Sequence, residues 1–250
     1  MVRDEKGHDA RAPYEASAAT ARRGVAPREG SVVSERVTGA PFQLPLAVDL
    51  VAVWLLAATG ALEARRKRYD VIGAGVLALV TGLGGAFLRD GLLLQGGPAA
   101  ALRDGRYLGA VLLGTATGIW FAGHLLRLRL ALLLADAVGL ALYGIYGSQK
   151  ALLAGLPFFS ATLVGTVNAV GGGLLRDVLT REVPLVFKPG QFYALAAMAG
   201  CAAFLLLDTE LGVITPVAAA AGVAVTLALR LGSIRLGWRT GAISDEPAGP

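Results

Sequence analysis

The sequence predicts an all-α polytopic membrane protein with seven transmembrane helices, arranged as two inverted three-helix repeats followed by a seventh helix. Three observations lead to this fold class: the hydropathy of the chain, a series of apolar runs of membrane-spanning length, and an internal repeat. The 250 residues are 55% hydrophobic and only 16% charged, with a mean hydropathy of +0.61. Because about a quarter of the residues of soluble domains are charged, the composition argues against a soluble enzyme.

The N-terminal segment differs in composition from the rest of the chain. Its first 40 residues hold 13 of the 41 charged residues, mixed with Ala, Gly, Ser and Pro. A segment of this kind cannot bury enough apolar surface to fold, so residues 1–41 are predicted to be a disordered tail. Because no apolar stretch precedes residue 42, this tail does not have the pattern of a signal peptide.

Seven apolar runs follow, separated by short polar breaks. Crossing about 30 Å of hydrocarbon takes about 20 helical residues, and a helix satisfies its own backbone hydrogen bonds within lipid. Each run is therefore predicted to be a transmembrane helix, although a re-entrant pair is an alternative for the two shorter runs at the end. The runs are 43–62, 71–94, 107–126, 131–149, 158–179, 191–207 and 213–229.

Basic residues in the polar breaks predict the orientation in the membrane. Eleven lie on one side, against five on the other, and basic loops are typically cytoplasmic. The C-terminus is therefore predicted in the cytoplasm and the N-terminus outside. The eleven are Arg65, Arg66, Lys67, Arg68, Arg127, Arg129, Arg181, Lys188, Arg230, Arg235 and Arg239, and the five are Arg28, Arg36, Arg103, Arg106 and Lys150.

The cluster Arg65-Arg66-Lys67-Arg68 is primarily such an orientation signal. Four basic residues at a cytoplasmic membrane surface can also hold anionic lipid headgroups. Because the basic residues of this chain lie in short loops between apolar runs, its positive charge does not indicate nucleic-acid binding.

The chain also contains an internal repeat. A shift of 87 residues places Gly84-Gly85 on Gly171-Gly172 and Leu88-Arg89-Asp90 on Leu175-Arg176-Asp177. After one residue of slippage, Tyr107 falls on Tyr193. Each copy spans three runs, and three is odd, so the copies are predicted to lie in opposite orientations, as in many transport proteins.

This repeat predicts the division of the chain. The first copy covers residues 42–128 and the second 129–208. The seventh helix covers 209–232, and a cytoplasmic C-terminal tail follows at 233–250.

The charged residues inside the runs follow the same repeat. There are six, and they form three matched pairs: Asp49 with Asp136, Arg89 with Arg176, and Asp90 with Asp177. A charge inside a membrane helix costs at least about 2.5–3.5 kcal/mol on insertion scales, so these residues must face protein or water. They either brace the bundle as ion pairs or line a path. Because adjacent residues on a helix point in different directions, Arg89 and Asp90 are expected to have different partners.

Glycines occur at matched positions in the second and fifth runs. Thr81-Gly-Leu-Gly-Gly-Ala-Phe-Leu-Arg-Asp90 corresponds to Asn168-Ala-Val-Gly-Gly-Gly-Leu-Leu-Arg-Asp177. Because glycine disfavours helix by up to about 1 kcal/mol, these segments are predicted to break the two helices beside a cavity. The alternative is that the glycines only let the two helices pack closely. The residues predicted to form an ion path are Thr81, Gly84, Gly85, Arg89, Asp90, Asn168, Gly171, Gly172, Gly173, Arg176 and Asp177.

Nothing in the sequence predicts catalysis, a cofactor or a metal centre. The single cysteine, Cys201, excludes an intrachain disulfide and a cysteine-based metal cluster. His8 and His124 are the only histidines. The chain has no nucleotide-binding loop, dinucleotide fingerprint or nucleophile elbow.

At the level of these motifs the sequence resembles the prokaryotic branch of the trimeric intracellular cation channels, whose domain is also labelled a glycine transporter. In the first copy the resemblance rests on the motifs of 60–70 and 81–90. In the second copy it rests on Asp136-Ala-Val-Gly-Leu, Gly147-Ser-Gln-Lys-Ala and the motif of 171–185. It covers residues 43–231. One departure is Gly84-Gly85-Ala86, where the family usually has three glycines.

The resemblance implies a homotrimer of seven-helix protomers in the bacterial cytoplasmic membrane. Each protomer would have its own pore, lined by the glycine-kinked second and fifth helices and passing monovalent cations, chiefly potassium. The methyl group of Ala86 is expected to reduce the kink or narrow the path. A secondary transporter of a small zwitterion such as glycine is the alternative function, and a purely structural scaffold is disfavoured by the buried charges.

Overall fold

The computed structural model describes residues 45–120, 129–188 and 192–238, and the regular secondary structure in these ranges is entirely helical. The predicted tail 1–41 and most of the predicted C-terminal tail lie outside the described residues, as does the end of the third run. Eight α-helices are described: α1 Leu46–Arg66, α2 Val71–Phe87, α3 Ala100–Arg103, α4 Gly105–Trp120, α5 Arg129–Leu153, α6 Phe158–Leu179, α7 Tyr193–Leu205 and α8 Thr215–Leu236. Two of them continue in π-helical geometry, α2 over Leu88–Leu94 and α7 over Leu206–Glu210.

Among the residues that the structure describes, five helical segments are long and apolar enough to cross a membrane. With their π-helical extensions they are Leu46–Arg66, Val71–Leu94, Phe158–Leu179, Tyr193–Glu210 and Thr215–Leu236. Their bounds match the first, second, fifth, sixth and seventh apolar runs to within about seven residues. The prediction of an all-helical, multi-pass membrane protein is confirmed.

Local sequence signals explain several helix ends. The Asp70 carboxylate caps α2 by accepting a hydrogen bond of 2.7 Å from the backbone N–H of Gly73, which satisfies one of the free donors of the first turn. Pro216 lies in the first turn of α8, where no backbone donor is needed. The same helix ends at Gly237, whose φ of 64° is the left-handed conformation that glycine adopts without strain.

Small residues allow the helices to pack closely. On α4, Gly114 and Gly118 lie against Ala57, Ala58 and Ala61 of α1. Helix α1 also packs against α2 and α5, while α5 packs against α6, α7 and α8. Helices α2 and α6 contact each other between these two groups. Interfaces of small residues are typical of membrane helices, because van der Waals packing rather than hydrophobic burial holds them together.

The predicted break at the glycines is wrong. Helix α2 stays α-helical through Gly84 and Gly85, and α6 is α-helical throughout Phe158–Leu179. The departure from α-helical geometry begins only at Leu88. The facing helix occupies the space that the missing side chains of Gly85 and Gly172 leave.

Several basic residues counted as loop residues lie within helices, and two of them, Lys150 and Arg230, contact carboxylates of the interior. Lys150 belongs to the last turn of α5, and Arg230 lies in α8, where only 2% of it is exposed. The end of the apolar run did not mark the end of α8, because a buried arginine is tolerated where it meets an acidic partner.

Candidate functional site

Helices α2 and α6 cross at two reciprocal backbone contacts. A β-carbon on Gly85 would overlap the carbonyl oxygen of Asn168, and one on Gly172 would overlap the carbonyl oxygen of Thr81. The shift of 87 residues that relates Gly85 to Gly172 also relates Thr81 to Asn168. Thr81 contacts Gly172, and Gly85, one turn later in α2, contacts Asn168, one turn earlier in α6. The two helices are therefore antiparallel at the crossing.

A second pair of contacts surrounds the first. A β-carbon on Gly171 would lie 3.0 Å from the α-carbon of Gly85 and 2.9 Å from a methyl carbon of Leu88. A β-carbon on Gly84 would lie 3.5 Å from the α-carbon of Gly172 and 2.8 Å from a methyl carbon of Leu175. Four of the five predicted path glycines are therefore packed at the crossing, which supports the close-packing alternative.

Thr81 and Asn168 are buried at this crossing and have different hydrogen-bond partners. The Thr81 hydroxyl donates to the carbonyl of Leu77 in its own helix at 2.6 Å. Asn168 instead links three helices: its amide nitrogen donates to the Tyr143 carbonyl on α5 at 2.6 Å, and its amide oxygen accepts from Arg89 at 3.3 Å. The hydroxyl of Tyr143 in turn donates to the carbonyl of Gly82 at 2.7 Å.

A first charge cluster lies beside the crossing. It comprises Asp49, Arg89, Asp90 and Lys150, with Tyr107. Arg89 donates two hydrogen bonds to the Asp90 carboxylate, at 2.7 and 3.0 Å. Lys150 donates to both oxygens of the same carboxylate, at 2.8 and 2.9 Å. The hydroxyl of Tyr107 donates to Asp49, which interacts electrostatically with the other three charged residues.

A second charge cluster repeats this arrangement in part, with its second cation on the other carboxylate. It comprises Asp136, Arg176, Asp177 and Arg230, with Tyr193. Arg176 donates to Asp177 at 2.8 and 3.0 Å, and Tyr193 interacts electrostatically with Asp136. Arg230 reaches Asp136 at 3.8 Å and lies over the Tyr193 ring, 4.9 Å from its centroid. Each cluster thus holds two carboxylates and two cations, whose formal charges cancel.

The expectation that Arg89 and Asp90 have different partners is wrong for their main contact. They pair with each other, as Arg176 and Asp177 do. An arginine side chain is long enough to reach round the helix to the next residue, and a carboxylate in a poorly hydrated interior is its strongest available partner. Arg89 and Asp90 each have one further partner: Arg89 donates to Asn168, and Asp90 accepts from Lys150.

The remaining predicted residues lie outside the crossing. Gly173 faces the second cluster, since a β-carbon there would lie 3.2 Å from the Tyr193 hydroxyl. In the basic cluster, Arg65 donates to the carbonyl of Ile119, Arg66 pairs with Glu63 at 3.1 Å, and Lys67 pairs with Glu182. Arg68 has a φ of 60° in the turn after α1.

Outside the membrane-spanning segments, ion pairs lower the pKa values of two carboxyl groups. A hydrogen bond from Lys67 lowers the pKa of Glu182, and the same pair raises the pKa of Lys67. Arg106 lowers the pKa of Asp104, to which it donates at 2.7 Å. Within the described ranges, no group of His, Cys, Asp and Glu is arranged to hold a metal ion.

The sequence pattern did not identify Lys150 and Arg230 as members of the clusters, and it did not connect the tyrosines with the carboxylates. The match of Tyr107 with Tyr193, in the same three-run unit as Asp49 and Asp136, was the available signal for the tyrosines. For Lys150 and Arg230 the basic side chain at the end of an apolar run was misleading, because the same pattern marks a membrane boundary.

The fold and this crossing define a multi-pass helical membrane protein with paired charges in its interior. The family model described as "Glycine transporter" matches residues 46–123 and 133–209, more than half of the chain. The two matched segments begin 87 residues apart. The chain therefore belongs to the glycine transporter domain family.

Bacterial relatives have similar sequences. A UPF0126 membrane protein from Deinococcus radiodurans is 40% identical over 176 residues, which cover 70% of this chain and 80% of that protein. The UPF0126 inner membrane protein YadS of Escherichia coli K12 is 33% identical over 189 residues, which cover 75% of this chain and 90% of YadS.

Solved structures of trimeric intracellular cation channels have a similar fold. One, from work on conductance through these channels, matches with a TM-score of 0.73 at 30% identity and covers 82% of this chain and all of that chain. The orthologue from Rhodobacter sphaeroides matches with a TM-score of 0.70 at 34% identity and covers 76% of this chain and 97% of that chain. The resemblance to this channel family is confirmed.

Proposed function

We propose that the protein is a monovalent cation channel, with potassium as the principal ion and one path through each protomer. The observation that carries this proposal is the crossing of α2 and α6 with a buried, neutral charge cluster in each half. Charges inside membrane proteins are costly and typically mark ion pathways. The structural likeness to proteins described as cation channels supports the same function.

The proposed architecture is the seven-helix inverted repeat, with α1, α2 and α4 as one copy, α5, α6 and α7 as the other, and α8 as the seventh helix. Two ion pairs support it. Lys150 with Asp90 brings the ends of α5 and α2 to one side, and Lys67 with Glu182 brings the ends of α1 and α6 together. Antiparallel α2 and α6 are what an inverted repeat requires.

Within this architecture, the glycines of the crossing set how closely the two halves of the path approach. Thr81 and Asn168 offer side-chain oxygens near the crossing. Asp90 and Asp177 attract cations, and Arg89 and Arg176 limit how tightly these carboxylates hold them. Conduction needs binding that is favourable enough for entry and weak enough for exit, and a carboxylate paired with arginine meets both requirements.

The proposal includes a homotrimer in the bacterial cytoplasmic membrane, with the N-terminus outside and the C-terminus in the cytoplasm. The names of the relatives and the trimeric description of one structural neighbour support it. Arg65, Arg66, Lys67 and Arg68 would then lie at the cytoplasmic surface, where contact with anionic lipid headgroups is proposed. The proposed function is transport without catalysis.

Purified protein in a planar bilayer under a potassium chloride gradient tests this function. We expect discrete currents that reverse near the potassium equilibrium potential. Asp177→Asn removes a path carboxylate and should reduce the conductance severalfold, while Asp104→Asn, at an exposed loop pair, should not. Size-exclusion chromatography of both variants controls for assembly. If assembled wild-type protein gives no currents in the bilayer, the channel proposal is wrong.

The transporter hypothesis has less support in this structure. It depended on a broken helix whose N-terminus could receive the carboxylate of a zwitterion such as glycine, and α6 is continuous. Saturable uptake of labelled glycine by proteoliposomes, together with absence of channel currents, would nevertheless favour it.

A further inference from the structure

The two charge clusters match residue by residue except for one cation and the carboxylate that it contacts, which is Asp90 in the first cluster and Asp136 in the second. The 87-residue shift relates Asp49 to Asp136, and both residues of the pair Arg89-Asp90 to Arg176-Asp177. Tyr107 and Tyr193 match with one residue of slippage. The second cation has no such match, since it is Lys150 from α5 in the first cluster and Arg230 from α8 in the second.

The residue equivalent to Lys150 in the other copy is Glu63, near the end of α1. This end of α1 is tied to the end of α6, because Lys67 pairs with Glu182 and the backbone N–H of Glu182 donates to the Asp177 carbonyl at 2.9 Å. In the other copy, the position that supplies a cation to the first cluster therefore holds an acidic residue, which pairs with Arg66 of its own helix. The second cluster must obtain its second positive charge from another helix.

Arg230 supplies that charge from a helix outside both copies. It lies beyond residue 209, where the second family match ends, and it is one of the largest fully buried side chains among the described residues. Its guanidinium is held between the Asp136 carboxylate and the Tyr193 ring. Guanidinium groups suit such a place, because they are planar, always charged and more weakly hydrated than ammonium groups.

We propose that Arg230 is a positioning residue that neutralises the second charge cluster, and so does for that half of the protein what Lys150 does for the first. The seventh helix is then required electrostatically, because without it Asp136 and Asp177 would share a single cation in the membrane interior. The two cations differ in accessibility: the side chain of Lys150 is 34% exposed and that of Arg230 is 2% exposed. The Lys150 ammonium can therefore leave its carboxylate for water more easily than the Arg230 guanidinium can.

Thermal unfolding of the full chain in detergent tests this inference without reference to transport. Arg230→Gln should lower Tm by roughly 10 °C, because removing one partner of a buried ion pair leaves the other uncompensated. Arg230→Lys keeps the charge and should retain most of the stability.

The decisive variant moves the cation to the repeat-related position. If the second cluster requires a second positive charge, whichever helix provides it, then the double variant E63K/R230Q should recover at least about half of the lost Tm. The matched control E63Q/R230Q removes the same acidic group without adding a cation and should recover much less. If Arg230→Gln does not fold, recovery of folded protein in E63K/R230Q but not in E63Q/R230Q gives the same answer.

Two results would overturn the proposal. One is an unchanged Tm in Arg230→Gln, and the other is equal recovery by the two double variants. Because both are measured by unfolding, they leave the channel proposal untouched, and a failure to record currents would leave this inference untouched.

Discussion

The backbone of Gly85 lies directly against the carbonyl oxygen of Asn168, leaving no room for a β-carbon. The repeat generates the same contact between Gly172 and Thr81. The place where the two halves of the protein meet is thus a contact between backbones, and its geometry depends on the absence of side chains.

Gly85→Ala should therefore destabilise the protein by about 1–3 kcal/mol or more, because the added methyl group overlaps a backbone atom that cannot rotate away. Gly75→Ala is the matched control, since it lies in the same helix with nothing within 4 Å of its β-carbon position. That change should be neutral or stabilise by up to about 1 kcal/mol through helix propensity. Thermal unfolding of both variants in detergent measures the difference, and equal effects would contradict the packing described for the crossing.

Tyr107→Phe should cost about 1.5–3 kcal/mol, because the buried Asp49 carboxylate loses its hydrogen-bond donor while the ring packing is kept. Tyr69→Phe removes a hydroxyl from a side chain that is 43% exposed and should change stability very little. Chemical or thermal unfolding can compare the two variants. A Tyr107→Phe protein as stable as wild type would show that Asp49 does not depend on Tyr107.

Asn168→Leu should destabilise the protein by about 1–3 kcal/mol, because Arg89 loses an acceptor and the link to the Tyr143 carbonyl is removed. Thr166→Val, on the same helix, serves as the control, since the Thr166 hydroxyl donates to the Thr162 carbonyl one turn away within its own helix. Unfolding curves of the two variants should separate clearly. A greater loss in Thr166→Val would contradict the bridging role of Asn168.

The pair of Lys67 and Glu182 should make stability weakly dependent on pH and salt. Lys67 lowers the pKa of Glu182, so the native state favours the ionised carboxylate. The resulting stabilisation is present above the ordinary pKa of glutamate and is lost as the pH falls through the lowered pKa. The Tm difference between wild type and Glu182→Gln should be positive near neutral pH and disappear in acid.

High salt should reduce the same difference, because both side chains reach solvent and screening weakens exposed pairs. Glu210→Gln, an acidic residue that lies in no ion pair among the described residues, controls for the loss of one negative charge. A Tm difference that stayed constant from neutral pH to acid would contradict the pair.

By itself, the sequence determined the class of protein, the positions of most helices and the residues of the repeat. Apolar runs have to form helices in a membrane, because only helices satisfy their own hydrogen bonds there, and this constraint acts locally. The repeat could also be identified from the sequence, because Gly85 and Gly172, or Asp90 and Asp177, are related by position along the chain alone.

Tertiary structure decided what those residues do to one another. It brought the glycines against a facing backbone, so that the helices stay continuous where the sequence predicted a break. It also decided that Lys150 and Arg230 are interior partners of carboxylates rather than markers of the membrane boundary. Hydropathy cannot make that distinction, because the free energy of a buried cation depends on a partner from a distant part of the chain.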